Sequence, residues 1–151
     1  MTEKIILPNG FLEVAQESLE AGKSVRVLAD GSSMYPFIRG GKDVVEIVPV
    51  SKDASLSPMI CLFCKWGDRY IIHRLIGCEG EECVLQGDGN LRGEERVSRG
   101  NVIGRISRIY APDGKVQDCT DPRWLRLAKL WYHLRPIRRI LLSLLHRLRI
   151  R

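Results

Sequence analysis

Six short apolar runs separated by glycine- and proline-marked turns fill residues 24–110 of this 151-residue chain. They constrain its fold more than any other feature. Val25, Val27 and Ala29 alternate with Arg26 and Leu28, and Val44-Val45-Glu46-Ile47-Val48 is β-branched. Residues 59–65, 69–77, 83–86 and 102–110 continue the series. Runs of this length and composition read as strands. The intervening Arg39–Asp43, Trp66-Gly67-Asp68, Glu79–Glu82 and Gly87-Asp88-Gly89-Asn90 read as turns. Strands at this spacing predict a compact, mainly antiparallel β-domain.

Helices are expected only at the two ends. Phe11, Val14, Ala15, Ser18 and Leu19 recur at helical spacing, which predicts a short helix over about residues 10–21, with Asn9 as its cap and Gly22 as its stop. Asp121 and Pro122 form a second start signal, Asp121 as N-cap and Pro122 at the first helical position. Pro136 then breaks or kinks that second helix. The chain thus divides into an N-terminal helical segment (1–23), a β-domain (24–120) and a helical tail (121–151).

The tail carries the charge. The net charge is +6, yet no acidic residue follows Asp121, whereas eight Arg and one Lys do. Trp124, Leu127, Ala128 and Trp131 lie on one stripe; Ile137, Ile140, Leu141, Leu144, Leu145 and Leu148 form another, opposite Arg138, Arg139, His146, Arg147 and Arg149. A basic amphipathic helix led by tryptophans suits an anionic membrane surface; docking on a partner protein or on its own domain fits equally. Trp124, Trp131, Ile140 and Leu144 are the residues expected to make that contact. The apolar stripe is too continuous for a phosphate-binding arm, so no nucleic acid is expected. No run reaches the ~18 apolar residues of a membrane span.

Five cysteines, with no apolar leader in the first ten residues, point to free thiols in a reducing cytoplasm. Cys61 and Cys64 share a strand-like run whose alternation sends them to opposite faces, so they read as buried structural residues. Cys78 and Cys83 flank a turn and could meet across a hairpin, but further metal ligands are not evident. No metal or organic cofactor is expected.

Chemistry concentrates at Asp30-Gly31-Ser32-Ser33-Met34-Tyr35-Pro36. Gly31 permits a sharp turn, and Pro36 suits the start of a helix, so strand, tight turn and short helix are expected to place Ser33 beside free N–H groups able to hold an oxyanion. A serine needs a base. Of three histidines, only His73 lies within the β-domain. An imidazole works as a base near neutral pH, and a carboxylate beside its second nitrogen would orient it. Asp88 is the first candidate for that carboxylate and Glu94 the second.

These pieces, in order, carry a resemblance. Gly31-Ser32-Ser33-Met34-Tyr35-Pro36, Gly40-Gly41-Lys42-Asp43, Tyr70-Ile71-Ile72-His73-Arg74, Gln86-Gly87-Asp88-Gly89-Asn90 and Asn101-Val102-Ile103-Gly104-Arg105 resemble the boxes of signal peptidase I and the LexA-like serine peptidases over about residues 24–110. The resemblance is to the histidine type found in endoplasmic-reticulum and archaeal members. It implies a signal-peptidase-like β-fold, Ser33 as nucleophile, His73 as base and Asp88 as the loop aspartate, with Glu94 where a second acid can stand. Gly31 occupies a position that is often serine in the family. The oxyanion donors implied are therefore the Ser33 N–H and the Ser32 hydroxyl or N–H. Met34, and apolar strand edges at Val44, Val45, Ile47 and Ile71, would bind an extended peptide by strand addition. The expected activity is serine endopeptidase processing of a peptide or protein precursor. The expected place is the cytoplasm, or the periphery of the inner membrane face. The alternative is a catalytically weak, peptide-binding or regulatory protein.

Overall fold

The computed structural model of the chain describes residues 3–5 and 11–149. The expected turn at Pro8-Asn9-Gly10 and the Asn9 cap lie outside the described residues. The architecture is mainly β: one curled, half-barrel sheet with a short helix before it and helices after it. Strands are β1 (Glu3–Ile5), β2 (Val25–Leu28), β3 (Val44–Pro49), β4 (Cys61–Trp66), β5 (Arg69–Glu79), β6 (Glu82–Gln86), β7 (Glu95–Ser98), β8 (Val102–Tyr110) and β9 (Val116–Asp118). Helices are α1 (Phe11–Glu20), α2 (Pro122–His133) and α3 (Arg138–Arg149).

The sheet runs β1-β2-β3-β8-β4-β5-β6-β7, with β9 on β8. Pairing is antiparallel except between β1 and β2. Long β8 organises it. One edge of β8 takes β3, while the other takes β4 on its first half and β9 on its second. Bulges at Glu46/Ile47, Phe63/Cys64 and Leu75/Gly77 help the sheet curl.

Alternation sorts the side chains into two cores. Cys61 and Phe63 join Val25, Val27, Val45, Ile47 and Ile106 under α1, whose Ala15 and Leu19 are buried there. Leu62, Cys64, Ile71, Leu75, Leu85 and Val97 form the other. Cys61 and Cys64 therefore do lie in different cores. Burial pushes the Cys61 thiol up to about 11 and those of Cys64 and Cys119 up to about 12.

Two local expectations are corrected. Cys78 and Cys83 are disulfide-bonded, so the cysteines do not argue for a reducing compartment. They stand directly opposite each other in the β5–β6 hairpin, with Cα atoms 4.1 Å apart, so hairpin register brings the sulfurs together. Cys61, Cys64 and Cys119 are free and buried. Residues after Ser33 form successive turns, not a helix. Tyr35 N–H donates to Ser32 O, and Phe37 and Ile38 N–H both donate to Met34 O. Pro36 has no N–H with which to continue a helical ladder, and its peptide bond with Tyr35 is cis.

The tail follows its start and stop signals. Asp121 caps α2 by accepting from the Arg123 N–H, and Pro122 is the first helical residue. A short 3-10 turn over Arg135–Ile137 contains Pro136 and separates α2 from α3.

Candidate active site

The serine turn is held from both ends. Ala29 N–H donates to Asp43 O, and Gly41 N–H returns to Ala29 O. The buried Asp43 carboxylate accepts from the Arg39 backbone N–H at 2.7 Å and from its guanidinium. Gly31 takes the left-handed conformation (φ 75°) that the sharp turn requires. Met34 and Ile38 plunge into the first core. Between them and the exposed Ser32, Ser33 is half-buried.

Beneath the turn lies the loop Gly87-Asp88-Gly89-Asn90. Gly89 N–H donates to Ser33 O at 2.8 Å. A Cβ on Gly87 would sit 2.5 Å from Ser33 O, and one on Gly89 would sit 2.4 Å from Ser32 O. Only glycine permits this approach, which explains both glycines in the motif. The loop leaves β6 just after the pair Arg74↔Gln86, one residue along β5 from His73. The serine turn is thereby tied to the loop that follows β6, and its Phe37 ring lies under Arg74 of β5.

His73 is buried on β5, and its Nδ1 is hydrogen-bonded to Oε1 of Glu95 on β7. A carboxylate only accepts, so Nδ1–H donates and Nε2 keeps its lone pair for a proton. The orienting acid is therefore Glu95, neither Asp88 nor Glu94. Asp88 is bound to the neighbouring residue instead: its two oxygens accept from Arg74 Nε at 2.8 Å and Nη2 at 2.7 Å. Successive strand residues point to opposite faces, so an acid that serves Arg74 is turned away from His73. Arg74 is buried, donates also to Met59 O, and lies over the Phe37 ring. Burial lowers its pKa, but Cys61 and Asp88 outweigh that and hold it above the ordinary arginine value. Glu94 is exposed, its carboxylate 3.8 Å from the Arg135 guanidinium. Sequence reasoning misses Glu95 because β7 is too short to show a pattern of its own. Its signal is parity with Val97: two residues apart on one strand, both turn inward.

Among the described residues, neither the Ser33 N–H nor its hydroxyl has a hydrogen-bond partner, and no hydrogen bond joins Ser33 to His73. The Ser33 amide thus keeps an unbonded N–H among the described residues, though not at a helix N-terminus. The Ser32 N–H is likewise unengaged among the described residues. A depression of about 360 Å³ beside the turn is lined by Asp30, Gly31, Ser32, Tyr35, Gly40 and Gly41.

The expected peptide-binding edges need correction. β3 is paired along Val44–Ile47 by β2 and by β8, so Val44, Val45 and Ile47 offer no free edge. Met34 is buried in the core and does not line a surface groove. Ile71 differs. β5 pairs with β4 over Arg69–Arg74, but with β6 only from Arg74 onward. Among the described residues, the other edge of Arg69–His73 is unpaired, and it runs up to the histidine.

The tail covers the Asp88 loop and the Tyr35–Phe37 part of the serine turn. Trp131 is buried and donates its indole N–H to Asp88 O at 2.8 Å. The Phe37 ring meets Trp124 and Trp131 edge-on, and Tyr35 stacks on His146. Arg138, also buried, donates to Asn90 O, Gln86 Oε1 and Trp131 O, and burial lowers its pKa. Trp124 and Trp131 therefore face the chain's own domain and are not surface anchors. Ile140 and Leu144 do face outward, 63% and 50% exposed. Trp131 and Arg138 clamp the loop on which the serine turn rests. Without the fold, their sequence signal is only that of a tryptophan on an apolar stripe and an arginine opposite one.

Among the described residues, no cluster of His, Cys, Asp and Glu is arranged to hold a metal ion. No helix of the described residues is long and apolar enough to cross a membrane. No family model matches the chain, and no curated protein matches it significantly.

Proposed function

We propose that the chain is a signal-peptidase-like serine endopeptidase that processes a peptide or protein precursor near the cytoplasmic face of a membrane. The observation that carries this reading is the His73–Glu95 hydrogen bond, which fixes the imidazole tautomer with Nε2 as the free base. The serine turn docked on the Gly87–Gly89 loop supplies the second half.

The chemistry is acyl transfer. Nε2 of His73 takes the Ser33 hydroxyl proton as Oγ attacks the peptide carbonyl. The Ser33 and Ser32 N–H groups face the oxyanion. Protonated His73 gives its proton to the leaving amine, and the peptide C–N bond breaks. A water deprotonated by His73 then hydrolyses the ester. The unpaired Arg69–His73 edge of β5 suits an extended substrate, which would pair there as an added strand. The tail's net basic charge suits the anionic inner face of a membrane.

A fluorophosphonate probe tests the reading. Ser33 should be acylated, and His73→Ala should abolish the acylation; no labelling of Ser33, or labelling unaffected by His73→Ala, overturns it. A second reading, a catalytically weak peptide-binding or regulatory protein, is favoured by the missing Ser33–His73 hydrogen bond and by Gly31 where a side-chain oxyanion donor could stand. It expects binding of extended peptides without acylation of Ser33.

A further inference from the structure

The apolar surface of α3 is divided by the fold. Leu142 is buried, and Leu141 and Leu145 pack with it against Trp131 and Phe37. Ile137, Ile140, Leu144 and Leu148 recur at intervals of three and four residues, and all are 46–64% exposed. Ile140, Leu144 and Leu148 form a second apolar stripe on the outward flank of α3, preceded by Ile137 of the 3-10 turn, beside the exposed Arg139 and Arg147. Half of the apolar arc thus has a partner within the chain, and half has none among the described residues.

From this surface we infer a specific occupant: an anionic lipid bilayer, on which α3 lies flat with its outer stripe in the interface. The inference names the partner of the proposed peptidase's tail and rests on that reading only for its biological purpose. Three observations choose lipid. The stripe is an uninterrupted run of Ile and Leu flanked by arginine, the pattern of an interfacial helix. No acidic residue occurs from Arg123 to the end of the chain, so no charge on the tail opposes an anionic surface. Near the start of α3 a shallow depression of about 650 Å³ is lined by Arg92, Arg96 and Arg135; Arg96 pairs with Glu82 and Arg135 with Glu94, while Arg92 has no ion pair among the described residues. The buried half of α3 stays locked to the domain, so the helix can dock without leaving it.

The test is co-sedimentation of the full chain with vesicles of phosphatidylcholine alone and with vesicles also containing phosphatidylglycerol. Binding should require phosphatidylglycerol and weaken with salt. Ile140→Ser/Leu144→Ser should abolish it, with the thermal midpoint and Ser33 labelling in solution unchanged. Arg139→Gln and Arg147→Gln should each weaken it by about fivefold. Equal binding to both vesicle types, binding to neither, or full binding by the double serine variant overturns the inference. So does a concentration-dependent dimer that the serine variant dissociates, which would assign the stripe to a second copy. Loss of Ser33 labelling in the parent chain would overturn the peptidase reading and leave the vesicle result standing.

Discussion

Nδ1 of His73 on β5 is hydrogen-bonded to Oε1 of Glu95 on β7, across the intervening strand β6. Both groups are largely withdrawn from water, with side-chain exposures of 9% and 11%. An acid in that position keeps the imidazole in one tautomer and stabilises its cation once it accepts a proton. Glu95→Gln should therefore lower the rate of Ser33 acylation by on the order of 10²-fold or more at neutral pH. Glu94→Gln should leave the rate unchanged. The measurement is fluorophosphonate incorporation followed by intact mass; a normal rate in Glu95→Gln would remove Glu95 from the mechanism.

Asp88 has a different task. Its bidentate pair with Arg74 is buried, with side-chain exposures of 3% and 2%. Removing one member leaves the other charged in a low-dielectric site. Asp88→Asn and Arg74→Gln are each expected to cost about 3–5 kcal/mol of stability. Urea denaturation followed by tryptophan fluorescence measures this, and a loss within error of zero would contradict it.

Trp131 joins the tail to the site through one indole N–H. Trp131→Phe keeps the ring packing against Phe37 and loses the bond to Asp88 O, at a cost of about 1 kcal/mol. The loop beneath Ser33 loses a tether as well, so the acylation rate should fall by more than the stability loss explains. A chain ending at Asp121 should fare worse. It strips the cover from Tyr35, Phe37 and Met59, which the tail helices bury. Its thermal midpoint should fall well below that of the full chain; an unchanged midpoint would show that the tail is dispensable to the domain.

The three free cysteines predict an alkaline limit. Their thiols ionise near 9.0 when solvated, but at about 11 for Cys61 and about 12 for Cys64 and Cys119 in the fold. The folded state holds its thiol protons longer than the unfolded state does. The stabilisation is therefore complete below pH 9 and is lost as pH rises through 11–12. By pH ~10 each thiol should have withdrawn about 1 kcal/mol. Denaturation midpoints at rising pH check this, and Cys119→Ala should flatten the slope.

The strands of the β-domain were legible because alternation and β-branching are local. The runs at 24–29, 44–48, 59–65, 69–77, 83–86 and 102–110 all appear as strands, displaced by a residue or two at some ends. Three strands were not legible. β1, β7 and β9 have three or four residues each, and their backbone is held by a neighbour more than by any pattern of their own. That gap concealed the partner of His73, since Glu95 belongs to β7. The turn glycines at 87 and 89 could be seen as loop formers. That they admit the backbone of Ser32 and Ser33 depends wholly on how the loop and the serine turn pack.

By itself, the sequence determined the strand-forming runs, the sharp turn at Gly31, and the capped start and proline break of the tail. Each depends on groups within a few residues of one another. Tertiary structure decided which acid meets His73, because strand order and side-chain parity assign Asp88 to Arg74 and Glu95 to the imidazole. It also decided which half of the apolar arc of α3 is covered. Amphipathicity fixes that a helix has an apolar face, but only the shape of the surface it meets fixes how much of that face is buried.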